Sequence, residues 1–205
     1  MIGVMVPSVF AETSVDCNNL IPNALLMGCD LHGKFLQYVN LSGADFSGAD
    51  LSYVDFSHAD LTGANFENTN LSFVQFGGAN LSGVNFSGAD LSDTTLWYVD
   101  FSDINLSGAD LTNAKLEHAN FSGVDFSDVN LSGADLRDAD LTGANFNNVD
   151  LTGETIGKLS GADLREAKLY RATIGNLSGA DLTNVDLSYA DLTNSDLTGA
   201  DLTGA

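Results

Sequence analysis

The sequence predicts an all-β fold in which the chain winds as a solenoid with one short strand-like segment on each side. Three observations predict it. From Leu31 to Ile156 every fifth residue is Leu, Phe or Ile, without exception. Two residues before each of these centres, from Val39 to Val149, the residue is always Ala, Val, Thr or Ile. Glycine often follows the centre by two residues, as at Gly43, Gly48, Gly63, Gly83, Gly88 and Gly108.

A five-residue period fits neither a regular helix nor an uninterrupted strand. In a helix five residues turn about 500°, so successive centres would step about 140° around the axis and form no apolar face. In a strand an odd spacing sends alternate centres to opposite faces. Both conflicts disappear if the chain turns a corner once in five residues, where glycine supplies backbone freedom. The centre and the residue two before it then point inward, and the Asp or Asn between them points outward.

The tandem pattern A-(D/N)-(L/F)-(S/T)-G, as in Ala59-Asp60-Leu61-Thr62-Gly63, resembles the pentapeptide-repeat family. The resemblance covers roughly residues 29 to 205. It implies a right-handed quadrilateral β-helix with four pentapeptides per coil and about nine coils, in which residues 20 apart stack about 4.8 Å from each other. We therefore expect a β-helix over residues 31–205, preceded by a short N-terminal cap over residues 12–30.

The first residues indicate an exported protein. Residues 1–11, MIGVMVPSVFA, resemble the end of a secretory signal, with small residues at the positions that a signal peptidase inspects. The alternative is an ordinary apolar strand in a cytoplasmic protein, and the stretch is far too short to span a membrane. Cys17 and Cys29 flank a segment that is compatible with one or two helical turns, and we expect them to form a disulfide in the periplasm, the extracellular space or a thylakoid-lumen-like compartment. Otherwise both thiols are free.

The five-residue register breaks twice, near residues 157–158 and 175–176. After Ile156 the next centre is Leu159, and after Ile174 it is Leu177. Both breaks read T-I-G-(K/N)-L-S-G, which indicates an internal duplication of about 18 residues. One interpretation is a neutral deletion or bulge that the coil absorbs. The other is a functional interruption, in which a basic cluster contacts an acidic partner or a second copy; its members are Lys158, Arg165, Lys168 and Arg171.

Charge and motif content exclude several classes of function. The chain has 28 acidic and 7 basic residues and a formal net charge of -21, so it repels nucleic acid and anionic lipid, and we expect no direct nucleic-acid binding. It contains 3 histidines and no nucleotide-binding, hydrolase or metalloprotease motif. The columns of Asp and Asn lack the G-G-x-G-x-D signature of calcium-binding solenoids. We predict neither an enzyme nor a bound cofactor or metal.

Two surfaces are candidates for protein contacts. With four pentapeptides per coil, exposed aromatic residues align along one corner and the corner before it, and they form a docking candidate: Tyr38, Tyr53, His58, Phe73, Trp97, Tyr98 and His118. The alternative is that these are commonplace exposed side chains. The last repeats give a second candidate, an end-to-end contact between two chains through Leu197, Ala200 and Leu202.

These features predict a non-enzymatic structural or protein-interaction rod with a strongly acidic surface. The resemblance to the family suggests one alternative, because some pentapeptide-repeat proteins inhibit DNA gyrase, a type II topoisomerase, by mimicking duplex DNA. The charge and the rod shape fit that role. The export signal and the cysteine pair do not fit it.

Overall fold

A computed structural model describes residues 15–205 as a four-sided coil. The expected signal segment, residues 1–11, lies outside the described residues. Most sides of the coil pair with the next coil through a single parallel bridge between residues 20 apart, for example Asp45 with Asn65 and Asp50 with Asn70. Three regular strands, β1 (Leu136–Asp140), β2 (Thr155–Lys158) and β3 (Thr173–Ile174), form a parallel sheet in the order β1-β2-β3.

Each corner is a tight turn of four residues. In the turn that begins at Leu51, the N–H of Val54 donates to the carbonyl of Leu51 at 3.0 Å, and the third residue, Tyr53, has a φ of 61°. This is the geometry of a type II turn, which requires a positive φ at its third position. Between corners, the N–H of Leu51 donates to the carbonyl of Asn70 at 2.8 Å and so joins the side to the next coil.

The core consists of stacked columns of the residues that the sequence places inward. Phe46 and Phe66 stack with ring centroids 4.9 Å apart and planes 1° apart, and Phe86 continues the column at 5.4 Å. On the next side Phe56 and Phe76 stack at 5.7 Å. Rings on neighbouring sides meet edge to face, as do Phe56 and Phe66 at 6.1 Å. The interior is therefore filled by side chains along its axis.

The two register breaks stack on each other because the coil between them is shortened. Residue pairs are 20 apart up to Leu136 with Ile156, and then 18 apart, as in Thr155 with Thr173. At the shortened corner the backbones approach closely: a Cβ on Gly157 would lie 2.5 Å from the carbonyl oxygen of Ala139. Gly175 approaches the carbonyl of Gly157 in the same way. The two copies of the T-I-G-(K/N)-L-S-G segment are thus one shortened coil apart, and each copy requires its glycine.

The expected helical turns between Cys17 and Cys29 are wrong. Residues 15–30 contain turns and bridges but no helix. Coiling begins near Leu25, which pairs with Asp45, and the N–H of Leu26 donates to the carbonyl of Asp45 at 2.7 Å. The reason is that Leu26 already occupies the five-residue register and is fully buried. A disulfide joins Cys17 to Cys29, which lies in the small inward column.

Replacing one buried ring should cost far more stability than replacing one exposed ring. We expect Phe66→Ala to lower the free energy of unfolding by about 3–5 kcal/mol, because neighbours held by the coil spacing cannot collapse into the cavity. Phe35→Ala, at a side chain that is 81% exposed, should change it by less than about 0.5 kcal/mol. Urea denaturation followed by circular dichroism measures both. Equal losses in the two variants would contradict the packed core.

Candidate functional site

The outward Asp and Asn side chains are bound to the turns of their own coil. The Oδ1 atom of Asp60 accepts the backbone N–H of Thr62 at 3.1 Å and its hydroxyl at 2.6 Å. These bonds, the hydroxyl first, lower the pKa of Asp60 below its ordinary value. The backbone N–H and hydroxyl of Ser102 lower the pKa of Asp100 in the same way. Asp60 and Asp100 are therefore carboxylates that the corners hold in the ionised form.

Asparagines separate the carboxylates along several columns. Asn70 Nδ2 donates to Asp50 Oδ1 at 3.1 Å, and Asn120 Nδ2 donates to Asp100 Oδ1 at 2.9 Å. Each of these amides replaces a like charge with a donor, so it reduces the repulsion between stacked acids. Among residues 15–205 no group of three His, Cys, Asp or Glu side chains converges as a metal site.

The four basic residues near the breaks do not form one free patch. Arg165 pairs with Asp163 at 2.6 Å, and Lys168 pairs with Asp150 at 3.2 Å. Arg171 lies over the ring of its neighbour Tyr170, with the guanidinium carbon 5.2 Å from the centroid. Lys158 belongs to β2 and makes no ion pair within the described chain. Three of the four thus contact their own surface, which favours relief of self-repulsion over a partner contact.

The predicted aromatic residues form three stacked pairs at the corners. Tyr38 stacks on His58 at 5.0 Å between ring centroids. Tyr98 stacks on His118 at 4.7 Å with planes 11° apart. In the preceding column Tyr53 stacks on Phe73, also at 4.7 Å. The rings lie one coil apart and face solvent, with Tyr38 78% exposed.

All six of these ring-bearing residues adopt the left-handed backbone conformation, with φ near 60°. This conformation is uncommon for residues other than Gly, although Asn, Asp and His are enriched in it, and it costs about 1–3 kcal/mol each. The same φ recurs at corners outside the pairs, such as Glu166, Arg171 and Tyr189, so the turn imposes it. What distinguishes the six residues is the stacking of exposed rings on consecutive coils, which contributes about 0.5–1.5 kcal/mol per pair.

The corner column is interrupted where the repeat places Gly78. The sequence aligns Tyr38, His58, Tyr98 and His118 in one column, and the structure divides them into two pairs with an empty position between. A Cβ on Gly78 would lie 2.6 Å from Nδ1 of His58, so the imidazole covers this glycine.

The remaining predicted contact residues lie beside these pairs or at the last coil. Trp97 adjoins Tyr98 and is half exposed, with the Lys115 ammonium 5.8 Å from its ring centroid. Leu197 and Ala200 are partly buried against the core, and Leu202 is 43% exposed.

Sequence reasoning missed two side chains. Tyr189 is 81% exposed with a φ of 61° and meets Tyr170 edge to face at 5.6 Å. The four-pentapeptide coil predicts contacts only between residues 20 apart, and it missed this one because the coil here has 18 residues.

Glu154 occupies an inward position where alanine is usual, and its Oε1 accepts the N–H of Gly133 at 2.8 Å. Burial raises the pKa of Glu154 above its ordinary value, and the nearby Asp135 and Asp150 add to the effect.

Comparison with known families identifies the protein class to which this four-sided coil belongs. The family described as pentapeptide repeats matches residues 24–63, 49–88, 69–108, 89–128, 119–153 and 176–205. The chain therefore belongs to the pentapeptide repeat family, and its fold is a right-handed quadrilateral β-helix. No curated protein sequence matches the chain.

Three solved structures are similar. HetL, a pentapeptide repeat protein involved in heterocyst differentiation regulation from the cyanobacterium Nostoc sp., is 28% identical over 90% of this chain and 89% of its own, with a TM-score of 0.55. A trypsin-treated form of QnrB1, a plasmid-mediated fluoroquinolone resistance protein, is 22% identical over 88% and 83%, with a TM-score of 0.39. A pentapeptide repeat protein from the Arabidopsis thaliana thylakoid lumen is 25% identical over 60% and 66%, with a TM-score of 0.23.

Within residues 15–205 no helix is long and apolar enough to cross a membrane. The basic cluster, the aromatic pairs and the last coil are all on the outside of the coil, and the core between them is closed.

Acid should destabilise the protein. Asp50, Asp60 and Asp100 have folded pKa values below the ordinary Asp value of 3.8 because their turns donate hydrogen bonds to them. Their contribution to stability is complete above that value and is lost as the pH falls through it towards the folded pKa. We expect the melting temperature, followed by circular dichroism, to fall as the pH drops below about 4. A rise on acidification would mean that repulsion between carboxylates dominates over these bonds.

Proposed function

We propose that this protein is a non-enzymatic interaction rod that docks a protein partner on its exposed aromatic corners. The observation that carries the proposal is the set of three stacked aromatic pairs, whose rings are exposed at the corners and aligned along two neighbouring columns. A partner that buries these rings would gain large contact area from side chains that are already ordered, which lowers the entropic cost of binding.

The chemistry of the surface supports a binding role over a catalytic one. An efficient general base has a pKa near the working pH. The carboxylates held by the corners, such as Asp60 and Asp100, have pKa values shifted in the opposite direction, and Oδ1 of each accepts a hydrogen bond from the Thr or Ser hydroxyl of its turn. They are therefore suited to stay charged and not to exchange protons.

The disulfide supports an exported rod. Disulfides persist in oxidising compartments and are rare in the cytosol, so Cys17 and Cys29 favour a periplasmic, extracellular or lumenal location. Quantitative alkylation of both thiols in freshly isolated protein would contradict this location.

Partner capture tests the docking surface. The double variant Tyr53→Asn/Phe73→Asn removes one stacked pair, and Asn tolerates the positive φ of both corners. The immobilised rod is incubated with an extract of the source organism, and the amount of each retained protein is measured. We expect this amount to be at least about five-fold lower with the double variant, as for the loss of one central aromatic contact.

The control is Tyr189→Asn, at a corner with the same φ that lies outside the three pairs. It should retain the same proteins as the unmodified rod. If the unmodified rod, the double variant and the control retain the same proteins in the same amounts, the aromatic pairs do not dock a partner.

A second candidate function is mimicry of DNA towards gyrase. The formal charge of -21 on a rod with regular acidic columns favours it. A supercoiling assay with purified gyrase tests it: mimicry predicts inhibition at micromolar protein that weakens steeply with added salt, because an acidic rod must enter a basic groove. Absence of inhibition at low salt would leave the partner-docking role.

A further inference from the structure

The empty position at Gly78 coincides with an opening between two coils. In the coil before it, the N–H groups of His58, Leu61 and Gly63 donate to the carbonyls of the next coil at 2.8–3.0 Å. In the described structure the corresponding N–H groups one coil later have no acceptor; they belong to Gly78, Leu81 and Gly83. Among residues 15–205 no bridge joins Asn80 with Asp100, although Asp60 pairs with Asn80.

The opening forms a surface cleft of about 230 Å³ between Gly78–Ser82 and Trp97–Asp100. One rim carries the rings of Trp97 and Tyr98. The other rim is the backbone from Gly78 to Ser82, where Gly78 has no side chain and the His58 imidazole lies over it. A planar group in the cleft can therefore stack on Trp97 or Tyr98.

An acidic side chain and two aromatic faces favour a cation in the cleft. Its lining includes the carboxylate of Asp100, which its turn holds ionised, and the rings of Trp97 and Tyr98. No donor within the described chain reaches the carbonyl oxygens of Ala79, Trp97 and Asp100, so a donating cation can also hydrogen-bond there. The N–H groups of Gly78 and Leu81 on the opposite rim are free donors, so the carboxylate and the rings, and not the backbone, favour a positive charge.

We propose that this cleft binds an arginine side chain of a basic segment of the partner protein. The guanidinium is planar, stacks on aromatic faces and donates in several directions, whereas the lysine ammonium is a compact and strongly hydrated charge. Stacking on Trp97 or Tyr98 and donation to the free carbonyls therefore distinguish arginine from lysine. The inference rests on the proposed docking function and specifies which side chain of the partner enters the aromatic corner.

Trp97 provides a direct measurement, because it is the single tryptophan of the chain and lines the cleft. The probes are capped hexa-arginine and hexa-lysine peptides of equal charge, titrated at the same ionic strength. We expect saturable quenching of the Trp97 fluorescence by hexa-arginine, with an affinity at least about five-fold higher than that of hexa-lysine. Isothermal titration calorimetry should give the same ratio.

Two matched pairs of variants locate the site. Tyr98→Gly removes one wall, and glycine adopts the φ of 61° without strain, so folding is retained. We expect it to abolish the preference for arginine, while Tyr189→Gly, at the same φ outside the cleft, keeps it. Gly78→Asn should crowd this rim and weaken hexa-arginine binding, because its Cβ would lie 2.6 Å from Nδ1 of His58 and would push that ring aside; Gly63→Asn, with open space around its Cβ position, should not.

Equal affinities for the two peptides, or a preference for arginine that survives Tyr98→Gly, would overturn the inference. Equal binding of both peptides would indicate attraction by surface charge alone. The proposed function would stand in that case, because the capture experiment tests Tyr53 and Phe73, which lie outside the cleft. If the Tyr53→Asn/Phe73→Asn variant retains the same proteins as the unmodified rod but hexa-arginine is still preferred, the proposed docking function fails and the arginine site stands.

Discussion

The spacing between coils is the constraint on which the rest of the structure depends. Backbone hydrogen bonds, such as that from Leu51 to Asn70 at 2.8 Å, fix this spacing at most sides. Inside, the same spacing stacks Phe46 on Phe66. Outside, it brings Asn70 within reach of Asp50, and at the corners it stacks Tyr98 on His118. Core packing, charge relief and the aromatic pairs are thus three consequences of one repeat distance.

The pairing between coils is interrupted at several sides of the described chain. Within that chain no bridge joins Asn80 with Asp100, Asn105 with Asp125, or Asn130 with Asp150. Bulky inward side chains do not explain these interruptions: Val54 and Val74 lie in one inward column, and Asp55 still pairs with Gln75 beside them. The interruption at Asn80 lies beside an alanine, Ala79, in the inward column.

Most of the fold could be predicted from the sequence because side-chain position depends only on the count of residues. The period of five gave the corners, the inward columns and the alignment of Tyr38 with His58. The helical turns expected before Cys29 do not form. That expectation used only the short apolar run, whereas Leu26 lies five residues before Leu31 and so belongs to the repeat. The pairing of Lys168 with Asp150 could not be predicted until the coil length of 18 was known. The cleft could not be predicted either. It arises where hydrogen bonds between two coils are missing, and the five-residue repeat implies that these bonds form at every side.

Charge alone defines no position on this rod. The acidic columns repeat along its length, and the turns that follow them donate hydrogen bonds to many of their side chains, so neighbouring coils present similar fields. A partner attracted by that field could bind at any coil. Only departures from the repeat distinguish one coil from the next, and those of the described chain include the opening at Gly78, a second cleft between Ile104 and Asp128, and the shortened coil around Gly157. The opening at Gly78 combines aromatic walls with unpaired carbonyls, whereas the second cleft has no aromatic lining and the shortened coil places backbone against backbone, so the register of a bound partner is set more readily at Gly78.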